Sequence, residues 1–493
     1  MADYLHGAYG QINTAGNKVS DKSDSAFVYI GTAPVHLVQG GAGNVNKPVI
    51  VNNIAEAQAM FGYSDDFAKY TLCEAMKAHL IDNSVAPIVL INVLDPAVCV
   101  SEETGSATLT PVNGRVTITD AEDVCIDTLV VTGSKALVPG TDYAISYNES
   151  KKAITIAELK SGALGTTALT ITWTKIDATK VDKTAVIGTT DNMGKNTGIY
   201  AVKDVYQSTG MIPSFILAPG FSSVPDVHKV MRNVARKING HWDAYVIADL
   251  PLTTESGETL TIATAKNWKD TNGYNGDNET VYFPMAIGMD DKHYHISVLA
   301  AANLHSLLLE NDGIPYRSAS NTEIMVKGLY MGEGNKDSVF DDQIINEYLC
   351  KNGIASAAYV GGRWVIWGAH TASYSYENAD AVSVAETNTM MMYYLSNDFQ
   401  RRRSEDVDKP LSANDLKSIV SEEQSRLDAL IRIGALIYGT VMVCAPFDGG
   451  SDVVNGDYKF AFSITTTPLA KSLTAVVTWT DEGFTTYYEA MTE

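Results

Sequence analysis

Ser214-Phe215-Ile216-Leu217-Ala218-Pro219-Gly220 is an uninterrupted apolar run of strand length, closed by a Pro-Gly turn. Polar residues do not alternate with the apolar ones, so both faces of this strand must be covered, as in a parallel sheet layered with helices. The sequence on either side repeats that texture. Downstream, 224–239 places Val227, Val230, Met231, Val234, Ala235 and Ile238 on one helical face, and 244–249 is a second apolar strand. Upstream, 26–31 and 48–51 read as strands, Asn53 caps a helix over 54–61 stopped by Gly62, and 66–81 carries an apolar stripe. The run 86–93 is again apolar apart from Asn92. A helix at 197–208, a strand at 282–287 and a helix at 296–309 extend the alternation. Strand and helix in turn predict a doubly wound α/β core.

Two regions depart from that texture. From 97 to 177 the chain is rich in Thr, Val and Ile, with short alternating runs at 107–110, 115–119, 128–132, 143–147, 153–156 and 168–174. Turn residues separate them, and helix signals are missing, which predicts a β-sandwich inserted into the core. Towards the C-terminus, a helix over 414–433 runs into an apolar segment at 440–444. Two alternating segments follow, 458–466 and 473–480, separated by Thr467-Pro468. A strand near a chain end is readily donated to another molecule's sheet, because nothing beyond it must fold back.

Bulk properties narrow the function. At 493 residues the chain exceeds one hydrophobic core, so two to four domains are expected. Its net charge of −22 argues against binding nucleic acid, which needs cations to displace counterions. The one dense basic run, Arg401-Arg402-Arg403, is followed by Glu405, Asp406 and Asp408 and reads as a local salt-bridge network. Tyr outnumbers Phe 25 to 12, which suits wet contacts or simply β-rich structure. Five dispersed cysteines read as free thiols in a reducing compartment. Neither a signal peptide nor an apolar span of membrane length is legible, so synthesis in a cytoplasm without membrane insertion is expected. Residues 1–25 are polar, with an aromatic island at Tyr4, Leu5, His6 and Tyr9, and read as an extended arm or, as is commoner on general grounds, a frayed terminus.

Motifs for chemistry fall short. The run from Gly40 to Asn46 has two glycines of a dinucleotide fingerprint but Asn46 where the third should stand. Gly188, Gly194 and Lys195 imitate a phosphate loop with one residue too many. His293 and His295 share a strand face and make at most half a metal site; surface histidines are the plainer reading. The acidic turn from Asp448 to Asp457 lacks the order of a calcium loop. Cofactors and metals are therefore expected to be none.

Several motifs, taken in order, carry a resemblance. They are His6-Gly7-Ala8-Tyr9; Phe27 to Ala33; Phe61-Gly62; Phe215 to Gly220; Asn352-Gly353-Ile354; Gly361 to Thr371; Ile433 to Leu436; Asn455-Gly456; and Thr467-Pro468. Together they resemble the contractile tail sheath proteins of myophages and phage-tail-like bacteriocins. His370 departs from the pattern, standing where that family has Arg, which puts in doubt any salt bridge made there. The resemblance implies a multidomain α/β fold: a subtilisin-like, doubly wound core without the protease triad, an inserted all-β sandwich, an α+β C-terminal domain and extended terminal arms. Its boundaries would be an N-terminal arm at 1–22, core at 23–96, insert at 97–182, core at 183–360, C-terminal domain at 361–471 and C-terminal arm at 472–493.

It also implies the function: a structural subunit that polymerises helically around an inner tube and contracts to drive the tube through a bacterial envelope. Partners would be other copies, the tube protein, and baseplate and terminator proteins at the ends. The protein would sit in the host cytoplasm during assembly and then in the particle. Leu5, Gly7 and Tyr9, with Val476, Val477, Trp479, Phe484 and Tyr487, would supply arm strands between subunits. Phe460, Phe462 and Ile464 would form the accepting sheet. Lys417, Arg426 and Arg432, cations on the 414–433 helix, would either meet an acidic tube surface or make a solvated face. The alternatives are an α/β hydrolase-like enzyme with an unrecognised site, and a surface adhesin built on the sandwich.

Overall fold

The computed structural model describes residues 25–134, 137–332, 341–377, 380–444 and 452–492. They divide into two compact units, 1–410 and 411–493.

The first unit is organised by one sheet. Its early strands are β1 (Ser25–Gly31), β2 (Pro48–Val51) and β3 (Ile88–Asn92), with helices α1 (Ile54–Phe61) and α2 (Thr71–Met76) between β2 and β3. Six strands then form a separate substructure: β4 (Val100–Leu109), β5 (Arg115–Ile118), β6 (Val130–Thr132), β7 (Tyr143–Asn148), β8 (Ala153–Glu158) and β9 (Leu169–Ile176). The large sheet resumes with β10 (Ile212–Leu217), helix α3 (Pro225–Val234), β11 (Tyr245–Asp249) and β12 (Glu279–Tyr282). A small sheet follows from β13 (Met285–Gly288), β14 (His293–His295) and, after helix α4 (Ile296–Glu310), β15 (Val326–Tyr330). The hairpin β16 (Ile354–Val360) and β17 (Arg363–Trp367) and helix α5 (Glu386–Arg403) complete the unit.

In space the large sheet runs β17-β16-β12-β11-β10-β1-β3-β2. From β16 to β3 every neighbouring pair is parallel; only the edge strands β17 and β2 run antiparallel. Chain order reverses between β1 and β10, the position where open α/β sheets leave a crevice. β3, β11 and β12 are buried at every residue, the signature of strands covered on both faces.

Local signals act as their chemistry predicts. The Asn53 side chain accepts from the Glu56 amide, and Gly62 at φ 74° ends α1. Gly361 and Gly362, both left-handed at φ 61° and 84°, form the two-residue turn of the β16–β17 hairpin.

Three expectations need correction. The helix expected over 66–81 begins at Thr71, because Asp66 closes a tight turn, its carbonyl accepting from the Lys69 and Tyr70 amides; from Lys77 it loosens into a π turn. The helix expected over 224–239 stops at Val234, since Lys237 and Asn239 are left-handed and the Ala244 amide takes the Ala235 carbonyl. The strand expected at 282–287 splits into β12 and β13 around Pro284, which has no amide to donate.

The six strands between β3 and β10 make two three-stranded sheets, β4-β9-β6 and β5-β8-β7. Their inner faces share one apolar cluster that includes Val116, Ile118, Val131, Tyr143, Ile154, Ile156, Ile171 and Trp173. Gly105 makes room for Trp173: an added Cβ would stand 2.0 Å from its Nε1. Leu37 of the core joins the same cluster, and buried His36 reaches the Glu122 carbonyl at 2.9 Å.

The second unit contains helix α6 (Ala413–Arg432), the antiparallel pair β18 (Leu436–Val443) and β19 (Phe460–Thr466), and helix α7 (Gly483–Thr492). Ser412 and Asp415 cap α6 reciprocally. Ile419, Leu427 and Leu430 of α6 and Leu436 and Val441 of β18 are buried.

Candidate functional site

Among the described residues, the second unit carries a run of strongly exposed apolar side chains. Leu473 is 91% exposed, Val476 87%, Val477 91% and Trp479 78%. Phe484, Tyr487, Tyr488 and Met491 on α7 are more than half exposed. Strung along one stretch, these eight leave on the order of 900 Å² of largely apolar surface, above the few hundred Å² usual for a monomer's largest patch. Residues 467–482 have no strand partner among the described residues. The alternating pattern at 473–480 therefore does not give a strand within this chain.

Phe484 and Tyr487, expected in an extended strand, lie instead in α7. Thr485 and Thr486 give the segment its β-like look, but Phe484, Tyr487, Tyr488 and Met491 stand at i, i+3, i+4 and i+7, one helical stripe. Leu5, Gly7 and Tyr9 lie outside the described residues.

Phe460, Phe462 and Ile464 do sit in a sheet, β19, opposite Val443, Val441 and Gly439. Gly439 faces Leu427 of α6; an added Cβ would come within 3.2 Å of it. That close approach lets Gln424, one turn earlier on α6, reach the β18 main chain: its Nε2 donates to the Gly439 carbonyl at 3.1 Å and its Oε1 accepts from the Val441 amide at 3.2 Å. Nothing in the local sequence announces this bridge.

The three cations of α6 do not form one face. Nine residues separate Lys417 from Arg426, about 180° around a helix of 3.6 residues per turn, whereas Arg432 lies about 60° from Lys417. Lys417 and Arg432 are exposed on one side and Arg426 is half-buried on the other. In the first unit, Arg401 and Arg402 pair with Asp398, and Arg403 and Lys409 with Asp406, so the basic run belongs to a salt-bridge network.

Near the carboxyl ends of the central strands lies a polar cluster made from distant segments. Buried Glu74 of α2 takes the His295 amide at 2.5 Å and its Nδ1 at 2.8 Å. Asp249, at the end of β11, accepts from the Ser297 amide at 3.2 Å and hydroxyl at 2.5 Å. His295 is thus a largely buried ion-pair member and not a surface residue, while His293 stacks on Tyr330. Burial opposes charge on His295, but Glu74 and then Asp249 overcome it and raise the imidazole to about 9. Burial lifts Asp249 to about 6 against the pull of His295 and Ser297. Although serine, histidine and aspartate meet here, the serine hydroxyl donates to Asp249 and the imidazole Nδ1 pairs with Glu74, and no hydrogen bond joins Ser297 to His295 among the described residues. The crevice between β1 and β10 is likewise filled: Thr71 packs against Gly31 and Gly220, and the Leu72 amide takes the Thr32 carbonyl at 2.9 Å.

Asn46, which breaks the dinucleotide pattern, is left-handed and accepts from the Gly198 amide. Asp452 and Asn455, of the acidic turn, bond each other; 445–451 lie outside the described residues. Among the described residues there is neither a cluster of three metal-ligating side chains nor a helix long and apolar enough to cross a membrane.

No family model matches the chain. Over 263 residues it is 28% identical to the tail sheath protein of Burkholderia phage BcepMu, covering 52% of this chain and 51% of that protein. The chain thus matches about half the length of this curated relative. Among solved structures, the PVC sheath complex of an extracellular contractile injection system, in its contracted state, aligns over 98% of this chain and 99% of that one, with a TM-score of 0.54 at 11% identity. The fold is a contractile-sheath fold. A sheath tail protein from Desulfitobacterium hafniense covers 93% of this chain and all of its own, with a TM-score of 0.45 at 11% identity.

Within this sheath fold, the motif departure at His370 has a local answer. Its ring stacks on Tyr374 with centroids 3.7 Å apart and its Nδ1 meets the Val384 carbonyl. Ring stacking holds here the place where a guanidinium was expected.

The sheath core also buries His36, His79 and His305. The Tyr29 hydroxyl bonds His79 at 2.6 Å, and His79 Nδ1 faces His305 Nδ1 at 3.1 Å. Burial lowers His305 and His36 to about 4, and burial with His305 holds His79 well below 6.5. Between pH 4 and 6 the unfolded chain therefore binds three protons that the folded chain refuses, while folded Asp249 keeps one that the unfolded chain releases. Glu386 and Glu149, whose carboxyls burial raises, keep protons on the folded chain in the same sense as Asp249, so stability falls on acidification by at most about 3 kcal/mol per pH unit. Urea midpoints at pH 7, 6 and 5 should drop steeply, and less so in His305→Gln; a flat profile would contradict this burial. His295 acts in the opposite sense: its contribution is complete below 6.5 and is lost as pH rises through 9.

Proposed function

We propose that the chain is the structural subunit of a contractile tail sheath, polymerising helically around an inner tube and shortening to drive that tube through a bacterial envelope. The observation that carries the reading is the exposed apolar segment at 473–491, held in one unit with the antiparallel pair β18 and β19. Similarity over nearly the whole chain to a sheath in its contracted state supports it. Segment 472–480, with Val476, Val477 and Trp479, extends the sheet of another copy, β19 with Phe460, Phe462 and Ile464 lying in the accepting sheet. The described part of the chain leaves open the same role for Leu5, Gly7 and Tyr9, which belongs to the proposal on the family resemblance alone.

The remaining assignments follow from the same reading. Lys417 and Arg432, on one face of α6, meet an acidic tube surface, and Arg426 does not share that face. Baseplate and terminator proteins cap the ends. The parallel sheet with its filled crevice acts as a rigid, subtilisin-like body without chemistry, and residues 97–182 project from it as an inserted domain. Contraction draws on packing: about 200 Å² of extra apolar burial per subunit is worth roughly 5 kcal/mol, and many subunits add up. Assembly takes place in the host cytoplasm.

Negative-stain microscopy of the purified chain at rising concentration tests this. Striated cylinders are expected; a monomer at every concentration would overturn it. An enzymatic reading is not favoured, because Ser297 and His295 are committed to different carboxylates.

A further inference from the structure

A primary amide carries the same donor and acceptor as a peptide group, and Gln424 aims both at one sheet edge. The carbonyl of Gly439 and the amide of Val441 are the groups that a strand added beside β18 would use, and Gln424 occupies both, at 3.1 and 3.2 Å. The second Nε2 hydrogen goes to Asp428 at 2.9 Å, one helical turn on, which fixes which end of the amide donates. Gln424 is half-buried on an amphipathic helix. Contrast Asn397, whose side chain brackets the amide and carbonyl of Asp243 in the same way but inside the first unit, where both residues are buried. There the bridge closes the core. At Gln424 it closes an edge.

We propose that Gln424 is a placeholder on a strand-docking edge. It mimics a neighbouring strand on β18 until the extended segment at 472–480 of a second copy replaces it. The proposal rests on the reading of the chain as a strand-exchanging sheath subunit and adds to it the edge that is used and the contact that delays its use. The occupant is argued from surface: Leu473, Val476, Val477 and Trp479 are at least 78% exposed. With α7, the stretch has about the area that one partner contributes to a standard interface of roughly 800 Å² per side. An unguarded edge on a soluble subunit invites pairing too early. A side chain that must be displaced raises the threshold for assembly without preventing it, since the guest restores both main-chain bonds and Gln424 returns to water beside Asp428.

The test uses the full chain with Gln424→Ala and Gln424→Leu, the second keeping the packing volume against β18. Sedimentation and light scattering read the critical concentration for cylinders. Removing a competitor worth about one net hydrogen bond should lower that concentration about tenfold in both variants. Hydrogen exchange of a peptide covering Val441 supplies a local reading. In the free Leu variant it should exchange faster than in the parent, and in cylinders it should be protected in both. An unchanged or higher critical concentration, or rapid exchange in cylinders, overturns the placeholder while leaving strand donation in place. Absence of cylinders from parent and variants alike overturns both.

Discussion

Val477→Asp combined with Trp479→Asp should abolish cylinder formation while leaving the free chain as stable as its parent. Both side chains are nearly bare in the isolated subunit, 91% and 78% exposed, so replacing them removes little intramolecular packing. Surface changes of that kind usually fall within about 0.5 kcal/mol. In an assembly the same side chains would be buried, each worth roughly 1.5–3 kcal/mol, and a carboxylate in their place must also be desolvated. At 1.4 kcal/mol per factor of ten, the critical concentration should rise more than 100-fold. Sedimentation would measure the assembly, and urea unfolding the stability. A doubly substituted chain that still assembles at the parent's concentration would remove this segment from the interface.

His295→Ala should cost about 3–5 kcal/mol of stability in the first unit, an effect confined to folding. Glu74 has no exposed side-chain surface, and its oxygens are held by the His295 amide and imidazole. Deleting the imidazole leaves a buried carboxylate with its main-chain donor but without its counter-charge, the costly way to break such a pair. Adding Glu74→Leu should recover more than half of the loss, since an apolar pair does without the charge altogether. Urea midpoints of the parent, single and double variants read this out. A single variant within 1 kcal/mol of the parent would mean that Glu74 is held by other groups.

These two sites differ in how far the sequence reveals them. The core strands were legible because Ile88–Asn92, Ile212–Leu217 and Tyr245–Asp249 are apolar on both faces, and that pattern has no other common cause. Alternation in Leu169–Ile176, buried at every second residue over most of its length, revealed the second kind of sheet equally well. The order of strands in the large sheet is not written in any local pattern. Nor is the His295–Glu74 pair, whose members lie 221 residues apart.

At the C-terminal end, composition misled. Thr and Tyr favour strands on average, but the spacing of Phe484, Tyr487, Tyr488 and Met491 was the better signal and gives α7. The spacing of the α6 cations sets Arg426 about 180° around the helix from Lys417, so Lys417 and Arg432 alone lie near one face. Gln424 could have been noticed only as a polar residue beside the buried Glu423 and Leu427, which falls short of naming its partners on β18.

The central claim is that residues 472–480 complete a sheet in another copy of the chain. An electron-microscopic reconstruction of the cylinders, resolved to the main chain, tests it most directly. The account predicts continuous density for this segment running into a neighbouring subunit and lying hydrogen-bonded along its β18–β19 sheet. Density that leads the segment back onto the sheet of its own subunit, or along a neighbour without main-chain pairing, would contradict it.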